Sequence, residues 1–179
     1  MKLSFKPIAY AVAAVALLIS TNTFAQTDSK AWRLGIGFNA GIATDDPYGF
    51  VPGGDLRLQK DFTSNVSAIL TTGYTCFVIK DKYDGPGKQS YDFIPLKAGV
   101  KVFPVQRFYV VGELGAGFGL PENSKTGFLY APGIGVAFNN GLDLGLRYEG
   151  LAIKNDVTNN TDNVGQVALR IAYGFNLSK

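Results

Sequence analysis

Apolar and polar positions alternate along most of the chain beyond residue 30, which is the period of a β-strand with two unlike faces. Leu34, Ile36, Phe38, Ala40 and Ile42 share one face, against Arg33, Gly35, Gly37, Asn39 and Gly41. Leu56 and Leu58 alternate with Asp55, Arg57 and Gln59. Val66, Ala68, Leu70, Thr72, Tyr74, Cys76 and Val78 form a third row. Ile94 to Val102 alternates with Pro95, Lys97, Gly99 and Lys101, and Phe108 to Phe118 with Tyr109, Glu113, Gly115 and Gly117. Ile134, Val136 and Phe138 oppose Gly133, Gly135 and Ala137; Leu142, Leu144, Leu146 and Tyr148 oppose Asp143, Gly145, Arg147 and Glu149. The last row is the longest, with Val167, Leu169, Ile171, Tyr173, Phe175 and Leu177 against Gln166, Ala168, Arg170, Ala172, Gly174 and Asn176. The pattern predicts eight strands and an all-β fold.

Connections alternate in length. Those at 63–65, 104–106 and 139–141 are short, whereas those at 44–50, 80–91, 119–127 and 155–163 are longer and polar. Short turns at one end and long loops at the other describe an antiparallel up-and-down meander, and eight such strands can close and abolish both edges. Alternation alone leaves open which face is inside. The polar face decides it, because it is rich in glycine: a water-facing convex surface has room for long side chains, whereas the inside of an eight-stranded barrel is cramped. The apolar rows carry no charge, and a charge facing lipid at mid-depth costs roughly 2–4 kcal/mol. The expectation is an eight-stranded transmembrane β-barrel, with every backbone amide paired within the protein. Trp32, Phe62, Phe103, Phe108 and Phe138 near the short turns, and Tyr48, Phe50, Tyr74, Tyr91, Phe93, Tyr130 and Tyr148 near the long loops, are expected to form two interfacial girdles.

The N-terminus reads differently. Lys2 and Lys6 precede an uncharged run from Ile8 to Ser20, followed by small residues at Thr23 and Ala25. This is the order of a secretory signal peptide, with cleavage expected after Ala25 and a mature barrel domain of 26–179. The run is shorter than the ~20 residues that a helical span needs. Cleavage would leave fifteen basic against fourteen acidic residues, too even a balance for a nucleic-acid footprint. The chain has no histidine, which removes the Ser-His-Asp triad and histidine-based metal sites. Cys76 alone cannot form an intramolecular disulfide, and it lacks an activating neighbour. Gly115-Ala-Gly117-Phe-Gly119 lacks the Lys-Ser/Thr of a phosphate loop and sits on a strand. Asp45, Asp46, Asp156 and Asp162 lack calcium-loop spacing. No catalytic residue, metal or cofactor is expected.

Ten charges fall on the polar face: Arg33, Asp55, Arg57, Lys97, Lys101, Glu113, Asp143, Arg147, Glu149 and Arg170. Buried charges must be paired and hydrogen-bonded. They are expected to form a salt-bridge network filling the lumen, with Arg147 and Glu149, on one strand and one face, among its members and Glu113 pairing with a neighbouring-strand base such as Lys97 or Lys101. A narrow or gated path along these charges is the alternative.

The signal peptide, the eight amphipathic strands, PGIGVAF at 132–138, GLDLGLRYEG at 141–150 and ALRIAYGFNL at 168–177 resemble the small outer-membrane β-barrel family of Gram-negative bacteria, which includes the OmpA transmembrane domain, OmpX and opacity-type porin-family proteins. The resemblance implies an outer-membrane location with both mature termini periplasmic, contact with membrane lipid and lipopolysaccharide, and an alternating terminal signal read by the assembly machinery. Tyr173, Phe175 and Leu177 fit that signal, although the chain ends in Ser178-Lys179 rather than in phenylalanine. The function expected is structural or surface-interacting and non-enzymatic, with an unidentified extracellular partner met by the four loops. Lipid A-modifying barrels share the architecture but use histidine in catalysis, and a soluble periplasmic ligand-binding barrel would need the opposite facing.

Overall fold

The computed structural model describes residues 31–83, 90–121, 124–154 and 161–178. The expected signal peptide at 1–25 and the loop residue Asp156 lie outside them. Eight strands follow in chain order: β1 (Trp32–Ala43), β2 (Phe50–Asp61), β3 (Val66–Phe77), β4 (Tyr91–Val102), β5 (Phe108–Gly119), β6 (Thr126–Ala137), β7 (Leu142–Lys154) and β8 (Thr161–Asn176). Each pairs antiparallel with its chain neighbours, and β1 pairs with β8 from Arg33↔Asn176 to Ala43↔Gln166, so the sheet is a closed barrel with no free edge. The seam is finished beyond the strands: Leu177 N donates to Trp32 O at 2.8 Å and Trp32 N to Ser178 Oγ at 2.8 Å.

The two faces are sorted as the alternation requires. Leu169 is 62% exposed and Ile171 59%, while Arg147 and Arg170 are 6% and 4% exposed. Large apolar side chains coat the outside from Ile36 and Phe38 on β1 to Phe175 on β8, and charged and small residues point in. Glycine permits the tight interior where strands approach closely. A methyl on Gly115 would land on the backbone carbonyl of Leu96 and 2.7 Å from Lys97 Cα.

Short turns hold one end. In the β2–β3 turn, Thr63 Oγ1 accepts from Asn65 N and Val66 N. Asn65 Nδ2 then reaches the next turn and donates to Phe103 O at 2.8 Å. The β6–β7 turn places Gly141 at φ +94°, left-handed backbone that glycine adopts without a Cβ penalty. At the other end, the strands run further than the sequence pattern suggested. β6 takes up Thr126 and Gly127, and β8 takes up 161–163, where Asp162 and Asn163 pair with Ile153 and Ala152. A ladder can continue above the apolar belt with polar side chains, so the end of hydrophobic alternation does not mark the end of the strand.

The girdles need correction. Tyr91 and Phe93 stand in register with Lys97, and Phe103 in register with Lys101, so all three turn inward. Phe93 is fully buried, and Phe103 packs against the inward Tyr109 with ring centroids 5.8 Å apart. Tyr48 folds back to meet the buried Phe77 edge-on at 5.5 Å. Trp32, Phe62 and Phe108 remain exposed near the short turns, and Phe50, Tyr74, Phe118 and Phe128 near the long loops.

Candidate functional site: the lumen

The lumen is layered. Beneath the long loops, Val51, Phe77, Phe93, Leu129 and Leu151 form a buried apolar cap, with Tyr48, Tyr91, Ile153 and Val164 packed against it. These are inward positions from the loop-side ends of β2, β3, β4, β6 and β7. Polar-face reading missed them, because the inward rows turn apolar only where the outward rows were already ending.

All ten sequence-nominated charges face the lumen, but Glu113 does not take the partner expected of it. Lys97 Nζ bonds Glu149 Oε2, whose other oxygen accepts from Gln166 Nε2 at 3.1 Å. Lys101 Nζ reaches Asp143 Oδ2 at 2.5 Å and lies 3.8 Å from the Tyr109 ring centroid. Glu113 pairs with neither lysine. Its Oε2 accepts from Arg57 Nη2 at 2.9 Å and its Oε1 from the Thr71 hydroxyl at 2.6 Å. The physical reason is reach: Lys97 and Lys101 extend across the lumen to β7, whereas Arg57 arrives at Glu113 from β2 with Thr71 bridging the two.

Asp55 and Arg170 make the densest contact. Arg170 Nε donates to Asp55 Oδ2 at 2.9 Å and Nη2 to Oδ1 at 2.5 Å, while Asn39 Nδ2 donates to Oδ2 at 2.9 Å. Arg170 Nη1 continues to Asp143 Oδ1 at 3.4 Å, and Tyr109 OH donates to that same oxygen at 2.7 Å. Arg33 closes the short-turn end through Asp61, which also accepts from Gln59 and Ser67. Asp61 was missed, although it continues the parity of Asp55, Arg57 and Gln59 by one further step. Arg147 is different: it lies 3.6 Å from Glu149 and 3.8 Å from Asp55, and its Nε and Nη1 are buried without a hydrogen bond.

At the loop end, Asp46 accepts from Lys80 Nζ at 2.6 Å and from Tyr83 OH at 2.9 Å, tying the β1–β2 loop to a 3-10 turn at Asp81–Tyr83. The Lys80 hydrogen bond, then that of Tyr83, holds the Asp46 carboxyl below its ordinary pKa. At the opposite end the lumen opens into a cavity of about 1230 Å³ between the short turns.

A closed, apolar-skinned barrel around buried charges is the construction of a transmembrane β-barrel. Residues 11–175 match the outer membrane protein beta-barrel domain family, and the chain belongs to that family. It is an outer-membrane protein, with the start of β1, the end of β8 and the short turns on the periplasmic side. Solved structures agree on the fold. Ail, the attachment invasion locus protein of Yersinia pestis, is 20% identical, with 82% of this chain and 99% of that one covered and a TM-score of 0.56. Ail in a phospholipid bilayer nanodisc gives 20%, 82% and 100%, with a TM-score of 0.58. The N-terminal barrel domain of Pseudomonas aeruginosa OprF is 12% identical, with 80% and 97% covered and a TM-score of 0.55. No curated protein sequence matches the chain.

Proposed function

We propose that the protein is a non-enzymatic, non-conducting outer-membrane scaffold whose long-loop end makes its contacts outside the cell. The observation that carries this reading is the apolar cap of Val51, Phe77, Phe93, Leu129 and Leu151 lying over the cross-lumen ion pairs. An ion entering from outside would have to leave water at the cap and then break buried pairs below it. The same packing makes the barrel a rigid base for loops. Ail has been solved in complex with the heparin analogue sucrose octasulfate, which supports an extracellular ligand for a barrel of this shape. The absence of histidine from the whole chain supports a non-enzymatic role over lipid A modification. Outer-membrane lipid and lipopolysaccharide would contact the apolar belt. The exposed row of Tyr173, Phe175 and Leu177 would be offered to the assembly machinery.

Planar-bilayer recording of the refolded barrel tests the closed lumen, with no steady unitary conductance expected; a reproducible open level would establish the channel alternative instead. Binding of sulfated polysaccharide to whole cells, before and after external protease trims the loops, tests the loop assignment. Binding that survives trimming would overturn it.

A further inference from the structure

The wall of the barrel is interrupted at Pro132. The β6–β7 ladder runs to Tyr130↔Gly150 and resumes at Gly133↔Arg147. Pro132 stands in the interval, and it has no N–H to give to a neighbouring strand. Its register partner on β5 is Gly112, where an added methyl would meet nothing within 4 Å. Beside this point the outer surface is recessed into a notch of about 390 Å³. Val110, Pro132, Ile134, Leu146, Tyr148 and Val167, all of the outward rows, form its banks. Arg147 lies behind it, with its guanidinium turned into the lumen toward Glu149 and Asp55.

The notch lies within the apolar belt of an outer-membrane barrel, so its surroundings are hydrocarbon. An apolar recess left unfilled forfeits the dispersion contacts of its lining. A neighbouring barrel presents a convex wall that would bridge the recess, whereas a flexible acyl chain can bend into it. The aromatic residues set the direction of entry. Tyr148 lies against Tyr130 with ring centroids 5.9 Å apart, and its hydroxyl points toward Gly165 and Thr44 at the long-loop end. These rings cover the loop side of the notch. The other side is near the short turns, since Val110 is the third residue of β5 and Leu146 the fifth of β7. Four rises of ~3.3 Å put Leu146 about 13 Å along its strand from the periplasmic end, within the ~15 Å depth of one leaflet. We propose that the Pro132 notch seats one acyl chain of a glycerophospholipid from the periplasmic leaflet. The seat is separate from the loop surface and does not require the lumen to open.

The test uses the refolded full barrel in detergent micelles, with phosphatidylethanolamine carrying a photoreactive diazirine at mid-chain as probe. Cross-links are expected to concentrate on Ile134, Leu146 and Val167, which line the notch, and to be competed away by unlabelled phosphatidylethanolamine. A second probe with the diazirine beside the acyl carbonyl should label closer to the short turns, at the paired Val136 and Leu144. Gly112→Phe, which lays a ring beside Pro132, should lower mid-chain labelling at least fivefold, and Val110→Phe should act alike. Leu70→Phe, on the exposed face of β3, should leave it unchanged. Heat-modifiable gel mobility shows that each variant is folded before it is compared. Labelling spread evenly over all eight strands, failure of unlabelled lipid to compete, or carbonyl-end labelling toward Tyr130 would each overturn the proposal. So would competition by lipid A alone, or labelling of Gly112→Phe equal to wild type.

Discussion

Lys97 and Glu149 are separated by 52 positions in sequence, yet their side chains meet across the barrel interior, with Lys97 0% and Glu149 2% exposed. Breaking such a pair from one side leaves a charge stranded, which typically costs ~3–5 kcal/mol, whereas replacing both partners with apolar groups can be nearly neutral. Lys97→Met is therefore expected to lower stability by ~3 kcal/mol, at the low end of that range because Gln166 and Arg147 remain beside Glu149. The double variant Lys97→Met/Glu149→Leu should recover most of the loss. Denaturant unfolding in detergent micelles, followed by tryptophan fluorescence, measures both. A double variant as weak as the single would contradict this account of the pair.

Arg147 and Arg170 offer a contrast within one lumen. Arg170 is the main hydrogen-bonding partner of Asp55, and its removal should cost ~3–5 kcal/mol. Arg147 makes no hydrogen bond through Nε or Nη1, and both of its acidic neighbours keep other partners. Its burial carries a desolvation cost with little return. Arg147→Met is expected to change stability by less than ~1 kcal/mol in either direction, against a large loss for Arg170→Met. Equal losses in the same unfolding assay would show that Arg147 holds the network together after all.

The strand count, the facing and the inward charges were legible in the sequence because a two-residue period writes each of them in order. Arg33, Arg57 and Arg170 could be placed inside from parity alone. Their partners could not, since pairing runs across the lumen between strands distant in sequence and depends on barrel closure. Lys97 illustrates the point: its backbone neighbour across β5 is Gly115, yet its charge partner is on β7. The apolar cap was hidden for a different reason. Phe93 and Leu129 look like lipid-facing residues by type, and only their register with Lys97 and with Gly133 and Gly135 turns them inward.

The cap is filled to contact, since a methyl on Gly117 would lie 2.9 Å from Leu151 and 3.1 Å from Phe93. Phe93→Ala should therefore leave a cavity that neighbours cannot close, costing ~3–5 kcal/mol. The barrel should still not conduct steadily, because Lys97, Glu149 and Gln166 remain paired in the lumen below. Unfolding midpoints and bilayer recordings on the same preparation check the two halves. Steady conductance from Phe93→Ala alone would show that the cap, and not the charged layer, seals the lumen.

Asp46 gives the loop end a pH dependence. Its pKa is depressed by the Lys80 and Tyr83 hydrogen bonds, so the contribution to loop docking is complete above its ordinary value of 3.8 and is lost as pH falls through the lower folded value. The carboxylate is exposed, so the barrel itself should barely respond. Asp46→Asn is expected to reproduce the acid state at neutral pH, with faster protease cleavage around 80–83 and an unfolding midpoint close to wild type. Cleavage rates that match wild type at pH 7 would remove Asp46 from its role in docking the loop.

Gly112 and Gly115 lie three positions apart on β5 and face opposite sides of the wall. A methyl on Gly112 would meet nothing within 4 Å, whereas one on Gly115 would strike the Leu96 carbonyl and the backbone of Lys97. Gly→Ala at a site with room and ordinary backbone stabilises by ~0.4–1 kcal/mol, mainly by restricting the unfolded chain. Gly112→Ala should follow that rule, with added apolar contact to lipid. Gly115→Ala must push β4 and β5 apart just where Lys97 reaches inward, and overpacking of this kind costs ~1–3 kcal/mol. Heat-modifiable gel mobility ranks the pair against wild type, with Gly112→Ala unfolding at or above the wild-type temperature and Gly115→Ala below it. The opposite order would mean that the inward row has slack, and that the glycine-rich face reflects something other than crowding.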